Sequence, residues 1–383
     1  MQVEKVDVLI VGSGPSGTST ALHLLQLHPE WSNRIALVDK AVHPREKLCG
    51  GGVTHMGQNI LADLGLSFEP ANFEVRQVRL VFQDKSYSFF GNPVFRITRR
   101  DKFDHWLVQK VEAKDVPVYQ GEAVKRITPG PDYVEVVTEK RTFHAQILVG
   151  ADGSRSFVRR TLKWDDDSRV SRLLEVLTPE NPQLQPEFQG QTAVFDFTQM
   201  LDGLQGYYWD FPSYVNGEPF MNRGLFDSRA RRERPKADLK QTLRGALADR
   251  QRNLEDYQLK GHPIRWWDRR GKFAMPRVIL VGDAAGADPL FGEGIAFALG
   301  YGRVAAPAIA DALTRQDFSF ADYKKRLLAD GLFKQLAIRV GLAKFAYRLK
   351  SPWVFRLGWS LAPWVIRLTP WRRRDYVPGR TPE

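Results

Sequence analysis

A glycine-rich turn near the start of the chain restricts the possible folds more than any other sequence feature. The apolar run over residues 6–11 predicts a buried parallel strand, and the apolar spacing over residues 15–28 predicts a helix. A second strand is predicted over residues 34–38, so the first forty residues form a β-α-β unit. The turn between strand and helix reads G-S-G-P-S-G and places three glycines in a G-x-G-x-x-G pattern: Gly12, Gly14 and Gly17.

Each glycine of this turn has a physical role in binding a dinucleotide. Gly12 permits the tight turn, Gly14 lets the backbone approach a pyrophosphate, and Gly17 lets the helix pack closely on the strand. The backbone N–H of Ser16 lies in the first helical turn, where donors and the helix dipole favour phosphate. Asp39 follows the second strand, where a carboxylate accepts hydrogen bonds from ribose hydroxyls. The alternative is a glycine turn in an ordinary loop, but the strand, helix and acid in register predict dinucleotide binding.

Composition limits the class of protein. The 383 residues suffice for two joined domains, and 43% hydrophobic with 26% charged residues is ordinary for a globular protein. Cys49 is the only cysteine, so we expect no disulfide within the chain, no cysteine-based metal site and a reducing, cytoplasmic environment. The N-terminal run is too short for a signal peptide, and no uncharged stretch is long enough to span a bilayer.

The remaining periodicity predicts an α/β fold with a second, inserted sheet. Alternating strand patterns occupy residues 74–90 and an aromatic block at 191–226. The remaining predicted strands and helices belong with the first β-α-β unit. We therefore predict three parts: a discontinuous Rossmann-type domain over residues 1–70, 99–163 and 271–315, an inserted, mostly antiparallel β-sheet substrate domain over 71–98 and 164–270, and a helical C-terminal region over 316–383.

Two later motifs distinguish FAD from NAD, because an NAD dehydrogenase needs neither. V-G-A-D-G-S-R (149–155) and V-G-D-A-A-G (281–286) each follow a predicted strand, and D-P-L-F-G-E-G-I (288–295) comes next. Together with the glycine turn they resemble the FAD-dependent family that includes para-hydroxybenzoate hydroxylase and the geranylgeranyl reductases. The resemblance implies that Asp283 binds the ribityl chain. It also implies that the N–H groups of Gly294 and Ile295 stabilise negative charge on the reduced flavin.

The same resemblance assigns further FAD contacts. Asp152 and Gly153 match the middle motif, although an Asp-Gly pair can also form a simple turn. Arg100 begins an R-x-x-F-D pattern that brings an arginine to the cofactor, with Arg99 as the neighbouring alternative, and Val124 matches a backbone position at the adenine. The implied FAD-binding residues are Gly12, Gly14, Ser16, Gly17, Asp39, Lys40, Arg45, Gly50, Gly51, Arg100, Val124, Asp152, Gly153, Asp283, Pro289, Gly292, Gly294 and Ile295.

Two segments resemble the geranylgeranyl reductase branch. P-R-E-K-L-C-G-G-G (44–52) would let its glycines pass close over the flavin ring, with Arg45 at the phosphates and Cys49 near the flavin face. A lone cysteine is otherwise a small buried hydrophobe. Y-Y-W-D-F-P (207–212) is a strand whose side chains alternate between two faces, one of which would line an apolar tunnel. The alternative is an aromatic core strand, and N-R-G-L (222–225) matches the family's following glycine-rich strand only loosely.

These features predict an FAD-dependent oxidoreductase that reduces carbon–carbon double bonds of a prenyl or similarly lipophilic substrate by hydride transfer from reduced flavin. NAD(P)H or a ferredoxin would supply the electrons. The catalytic candidates are Cys49, Tyr208 and Trp209, and the candidate proton donors are Cys49, His55 and Tyr208. The alternatives are a flavin monooxygenase, a halogenase, which lacks support because no W-x-W-x-I-P strand is present, and a non-enzymatic FAD-bearing scaffold.

The C-terminal region carries most of the net charge of +12: residues 331–375 hold ten basic residues and one acidic residue. Its basic residues recur every four to five positions, roughly on one side of a helix, namely Lys334, Arg339, Lys344 and Arg348. Interface-preferring aromatics accompany them at Trp353, Phe355, Trp359, Trp364 and Trp371. Such a stretch is typical of contact with an anionic membrane surface, and the alternative is a packed helical cap. Nucleic acid is not an expected partner, because the charge is mixed with apolar bulk and no binding motif is present.

Overall fold

The computed structural model describes residues 3–164, 169–347, 357, 358 and 360. Its strands form two mixed sheets, and helices pack against both. The strands are β1 (Val3–Val11), β2 (Ile35–Val38), β3 (Gly52–Thr54), β4 (Asn72–Phe82), β5 (Lys85–Thr98), β6 (Val118–Tyr119), β7 (Val124–Pro129), β8 (Val134–Thr138), β9 (Thr142–Gly150), β10 (Val170–Pro179), β11 (Thr192–Asp196), β12 (Gly206–Val215), β13 (Glu218–Asp227), β14 (Lys260–Arg265), β15 (Ala274–Met275) and β16 (Val278–Leu280).

The helices connect and cover these strands. They are α1 (Pro15–Leu27), α2 (His55–Asp63), α3 (Arg100–Glu112), α4 (Phe157–Thr161), α5 (Pro186–Gln189), α6 (Leu239–Ala248), α7 (Ile295–Arg315), α8 (Tyr323–Ala329) and α9 (Gly331–Ala346), with short 3-10 turns at Pro29–Arg34, Thr198–Asp202, Leu254–Asp256 and Gly282–Ala284. Within the described part of the chain, no helix combines the length and apolar character that crossing a bilayer requires.

The first sheet has a parallel centre in the order β6-β2-β1-β9-β16, with β15 antiparallel at one edge and the β7-β8 hairpin attached to β9. Its central strands are continuous apolar runs, and Val8, Leu9 and Ile10 are fully buried. Parallel strands covered by helices on both faces require such runs. The β-α-β unit predicted from the first forty residues is thus confirmed, and its strand ends carry the glycine turn.

The second sheet follows the order β14-β10-β13-β12-β11-β4-β5-β3, antiparallel except for the β11-β4 pair. Its strands come mostly from the two predicted inserted segments. One strand, β3, comes from the segment assigned by sequence to the first domain, yet it pairs with β5 in the second sheet. The segment that precedes β3, residues 44–51, therefore runs between the two sheets.

The α/β fold class with an inserted, mostly antiparallel sheet and a helical C-terminal region is confirmed. The largest buried cluster surrounds the first sheet and extends over α7, α8 and α9, where Tyr301, Tyr323 and Phe333 are fully buried. A separate aromatic cluster lies on one face of the second sheet, and a third apolar cluster lies under α6. All five predicted tail aromatics, together with Arg348, fall outside the described residues.

Candidate active site

The glycine turn at the end of β1 forms an open cradle at the start of α1. Gly12 has a φ of 107°, a conformation that favours glycine, and a Cβ on Gly17 would lie 1.9 Å from the Gly12 carbonyl oxygen. By contrast, a Cβ on Gly14 would meet only the Arg45 guanidinium, at 3.4 Å. The turn is therefore closed toward the protein at Gly17 and open at Gly14, on the side where a pyrophosphate approaches. Ser16 is buried in the first turn of α1.

Asp39 lies at the end of β2, where the turn itself orients its carboxylate. One carboxylate oxygen accepts hydrogen bonds from the backbone N–H and the hydroxyl of Ser13, both at 2.8 Å. The other oxygen accepts from the Ala41 N–H at 2.9 Å. The side chain stays half-buried, which leaves lone pairs for ribose hydroxyls, while the adjacent Lys40 is exposed and Val124 is half-buried at the start of β7.

Two arginines converge on one buried carboxylate beside this turn. Asp104 on α3 is fully buried and binds the Arg100 guanidinium in a bidentate pair at 2.7 and 2.8 Å. Arg45 reaches the same carboxylate at 3.0 Å. Burial alone would lower the pKa of Arg100, but the charge and hydrogen bonds of Asp104 raise it, so the guanidinium stays charged. Two cations facing one anion leave positive charge beside Gly14, which suits a phosphate.

The sequence left Arg99 and Arg100 as alternatives, and the structure separates their positions. Arg100 points inward to Asp104, whereas Arg99 pairs with Asp101 at 3.6 Å and lines a surface pocket next to β10. Only Arg100 is therefore brought beside Arg45 and the glycine turn.

The middle motif forms a capped turn at the end of β9. One oxygen of Asp152 accepts from the N–H groups of Phe157 and Val158, at 2.6 and 3.0 Å, and so caps α4. The other oxygen is buried and has no partner within the described residues. Burial raises the pKa of Asp152. Gly153 follows with a φ of 78° and open space around it. An unpartnered buried oxygen beside open space fits a polar group of a bound ligand.

Asp283, from the third motif, lies against the N-terminus of α7. A Cβ on Gly294 would lie 3.8 Å from its carboxylate, so the two predicted contacts are adjacent, and α7 begins at Ile295. Within the described residues the Asp283 carboxylate makes no hydrogen bond, and it is half-buried. The carboxylate can accept hydrogen bonds from ligand hydroxyls, and the N–H groups at the start of the helix favour negative charge on a ligand. The two together fit a ligand that has both features.

The loop between these residues is fixed by the C-terminal helix. Arg339 on α9 binds the buried Asp288 at 2.8 Å and also binds Glu293, which in turn accepts a hydrogen bond from the Thr54 hydroxyl. The Pro289 carbonyl accepts from Ser228 at 2.6 Å. A Cβ on Gly292 would crowd the ring of Phe226, at 2.9 Å. The loop thus packs against the second sheet on one side and α9 on the other.

Arg339 corrects one prediction about the tail. It does not share an exposed basic side with Lys334 and Lys344: both lysines are exposed, whereas Arg339 is 9% exposed. Lys334 and Lys344 are each five residues from Arg339, and such a spacing turns a helix by well over a quarter of a circle, so Arg339 points in a different direction from both. Its buried guanidinium is compensated by the carboxylates of Asp288 and Glu293.

The segment before β3 brings Cys49 onto the second sheet. The Asn222 side chain donates to the Cys49 carbonyl at 3.1 Å and accepts from the Trp209 indole N–H at 2.8 Å. The Gly51 N–H approaches the Cys49 sulfur at 3.3 Å, and a Cβ on Gly50 would touch the Phe211 ring at 3.1 Å. Gly50 therefore lies against Phe211 and Trp209, and Asn222 links the Cys49 carbonyl to Trp209, while the Cys49 side chain packs against the core around the first sheet.

Successive side chains along β12 point to opposite faces of the sheet, so the predicted catalytic residues on this strand lie in different surroundings. Trp209 faces Cys49, within an aromatic cluster that includes Tyr207 and Phe211. Tyr208 faces the opposite side, where it is fully buried and donates to Asp210 at 2.7 Å. His55 is exposed at the start of α2. The structure thus links the Cys49 backbone to Trp209 through Asn222, and Tyr208 meets neither of them.

Lys47 is a site residue that sequence reasoning missed. Its ammonium contacts the His262 ring, which is also 3.1 Å from the Ser154 hydroxyl. Burial lowers the pKa of Lys47 to about 8, although the nearby Asp283 carboxylate opposes this. Burial and the Lys47 charge lower the pKa of His262 to about 3, so the ring stays neutral. Lys47 lies in the P-R-E-K-L-C-G-G-G segment, but a lysine there gives no signal of its own burial.

The sequence profile of a family described as the FAD binding domain matches residues 5–316. The chain belongs to this family. It is an FAD-dependent oxidoreductase, and the resemblance stated from the sequence is confirmed. A digeranylgeranylglycerophospholipid reductase of Methanosphaera stadtmanae is 24% identical over 360 residues, which cover 88% of this chain and 87% of the relative.

Solved structures share the fold. A geranylgeranyl bacteriochlorophyll reductase-like protein from Thermoplasma acidophilum matches with a TM-score of 0.76 and 22% identity, over 91% of this chain and 89% of that one. The halogenase PltM matches with a TM-score of 0.69 and 17% identity, over 89% and 76% of the two chains. At these sequence identities the similarity shows a common fold, and both a reductase-like protein and a halogenase have this fold.

Proposed function

We propose that this protein is an FAD-dependent reductase of carbon–carbon double bonds in a prenyl or similarly lipophilic substrate. The observation that carries the proposal is the position of the Cys49–Gly51 segment over an aromatic sheet face. Trp209, Phe211 and Phe195 supply the aromatic part of that face, where the Asn222 side chain accepts a hydrogen bond from the indole N–H. A chain of isoprene units offers only hydrocarbon to such a surface, and its burial is favourable in proportion to the area covered.

The residues already described would hold the cofactor. Gly14, the α1 N-terminus and the Arg45–Arg100 pair suit the pyrophosphate, Asp39 suits the adenosine ribose, and Asp283 suits the ribityl hydroxyls. Bound FAD supplies the two-electron chemistry, with hydride delivery from its reduced form. The N–H groups at the start of α7 would stabilise the negative charge of that reduced form. The protein's own part is position, charge and exclusion of water.

Anaerobic turnover tests the proposed reaction. Chemically reduced protein, mixed without oxygen with a prenyl alkene in detergent, should yield a product heavier by about two mass units per reduced bond, because one hydride and one proton are added. Phe211→Ala should weaken this turnover, since it removes a ring from the proposed substrate surface. Tyr214→Ala is a matched control, because Tyr214 lies farther along the same strand and is 36% exposed.

The outcome also separates the rival reactions. A product that gains one oxygen, and only in air, would assign the protein to the monooxygenases, and a halogenated product formed with halide would assign it to the halogenases. The electron donor is tested separately. Bleaching of the flavin by NADH, NADPH or a reduced ferredoxin identifies it, and we propose a nicotinamide or a ferredoxin in this role.

We also propose that α9 brings the enzyme to an anionic membrane surface. Ile338, Leu342 and Phe345 are 63%, 49% and 64% exposed, and they recur at helical spacing beside the exposed Lys334 and Lys344. Apolar groups flanked by lysines suit the headgroup region of anionic lipid, where a lipophilic substrate would also reside. Co-sedimentation with vesicles that contain anionic lipid should decrease as salt rises. Equal binding to neutral vesicles would contradict the electrostatic part.

A further inference from the structure

Glu175 is a buried carboxylic acid next to the Cys49 segment. It lies on β10 with only 3% of its surface exposed. Directly across the sheet is Gly224 on β13, and Trp209 on β12 lies opposite the same glycine. Residues that are directly opposite each other on neighbouring strands share one face of the sheet. Glu175 and Trp209 therefore project from the same face, the one that Cys49 covers.

The surroundings of Glu175 leave part of its carboxyl group without a partner. Its Oε2 atom is buried and makes no hydrogen bond within the described residues. Gly224 offers no side chain there, and the Trp209 ring fills the space instead: a Cβ on Gly224 would lie 2.4 Å from it. Asn222 is already engaged by Trp209 and by the Cys49 carbonyl. A charged carboxylate would be poorly compensated at this position, whereas a protonated one is tolerated.

Burial outweighs the neighbouring positive charges and favours the acid form of Glu175. Burial raises the pKa of Glu175 to about 8, although the positive charges of Arg99 and Lys260, the Asn222 amide and the Cys49 backbone oppose the rise. Lys260 is its direct neighbour across β14 and also pairs with Glu46 at 2.6 Å. Near neutral pH the side chain thus holds a proton and sits close to losing it.

A surface pocket connects this acid to solvent. The pocket lies between the segment before Cys49 and the strands β10 and β14, and it is lined by Glu46, Lys47, Arg99, Glu175, Gln258 and Lys260. Glu46 and Gln258 are exposed or half-exposed at its outer end, and Glu175 lies at its buried end. The acid therefore has the Cys49 segment on one side and, on the other, a path to water that Leu48, Val176 and Leu177 also line.

Resting on the reductase function proposed above, we propose that Glu175 donates the proton that completes double-bond reduction. One alkene carbon takes hydride from reduced FAD, and its neighbour takes the Glu175 proton across the Cys49–Gly50 segment, directly or through one water. The π bond is lost, two C–H bonds form, FAD is oxidised and Glu175 is left as a carboxylate. Water in the pocket returns the proton.

Infrared difference spectra test, independently of turnover, whether the Glu175 carboxyl group is protonated. Between pH 6 and pH 10, purified FAD-containing protein should lose the band of a buried protonated carboxyl group. Glu175→Gln should lack this band at every pH. Glu187→Gln should keep it, because Glu187 is a glutamate paired with Arg79 at 2.7 Å, away from the pocket. Absence of the band in the unchanged protein, or its persistence in Glu175→Gln, would overturn the proposal.

Single-turnover kinetics test whether Glu175 donates its proton to the alkene. With pre-reduced protein and a prenyl alkene, Glu175→Gln should reoxidise its flavin about a hundredfold or more slower, as expected when a general acid is lost. Glu175→Asp should restore part of the rate and shift its pH profile, and FAD content and dithionite reduction should stay normal in both. A Glu175→Gln protein as fast as the unchanged one refutes the role of Glu175. An unchanged protein that reduces no alkene refutes the reductase function itself.

Discussion

Replacing Glu175 with glutamine tests how strongly the fold disfavours a charge at this position. The substitution keeps the shape and polarity of the side chain but removes its ionisation. In the unfolded chain the group ionises near pH 4.5, whereas burial raises the pKa to about 8 in the folded protein. Between these values the unfolded state releases a proton that the folded state retains. Folding stability must therefore fall with rising pH, by roughly 1.4 kcal/mol per pH unit from this group alone.

The comparison of the two proteins isolates this contribution, because the other ionisable groups are common to both. Free energies of unfolding from denaturant titrations should give similar pH profiles near pH 4. They should then diverge, with Glu175→Gln gaining stability relative to the unchanged protein up to about pH 8, by a total on the order of 5 kcal/mol, and the difference should remain constant above that pH. Parallel curves across this range would refute the argument, since they would mean that Glu175 ionises as readily in the fold as in water.

Four further changes test the rest of the site. Gly14→Val should abolish FAD binding measured by flavin fluorescence, because a branched side chain would fill the open side of the turn. Asp283→Ala should weaken FAD affinity by about ten- to a hundredfold without lowering the melting temperature of the FAD-free protein, because one charge-assisted hydrogen bond is worth roughly 1.5–3 kcal/mol. Arg339→Ala should destabilise the protein by about 3–5 kcal/mol in denaturant titrations, since two buried carboxylates lose their cation. Phe345→Ser should reduce vesicle co-sedimentation without changing FAD content, and unchanged sedimentation would remove α9 from the membrane contact.

Local patterns in the sequence predict the cofactor half of the candidate site. Gly12 and Gly17 could be placed because their roles depend on backbone geometry within a few residues of each other. Asp39 is predicted because it directly follows a short apolar strand, whereas Asp283 is predicted because its motif, V-G-D-A-A-G, resembles that of the FAD-dependent family. These features come from neighbours along the chain, which a sequence displays.

The substrate half depended on contacts that the sequence does not display. The period of two along β12 separated Tyr208 from Trp209, but only the packed sheet shows which of them faces Cys49. Lys47 contacts His262, 215 positions farther along the chain, and Glu175 lies opposite Gly224 and Lys260 on neighbouring strands. Nothing near either residue in the sequence therefore indicated a perturbed pKa. The sequence predicted Arg339 on the same basic side of a helix as Lys334 and Lys344, because the spacing gives no information on the carboxylates of a distant loop.

The bridge from Arg339 to Asp288 and Glu293 couples the stability of the loop over residues 288–294 to the docking of the helix α9. A ligand that changes the position of this loop changes the energy of docking α9, and a surface that pulls on α9 changes the affinity of the loop for its ligand. The two effects must be equal in size, because coupling free energies are reciprocal. Cofactor loading and surface attachment would then report on each other: protease protection of α9 should rise with FAD, and FAD affinity should change by the same factor on vesicles.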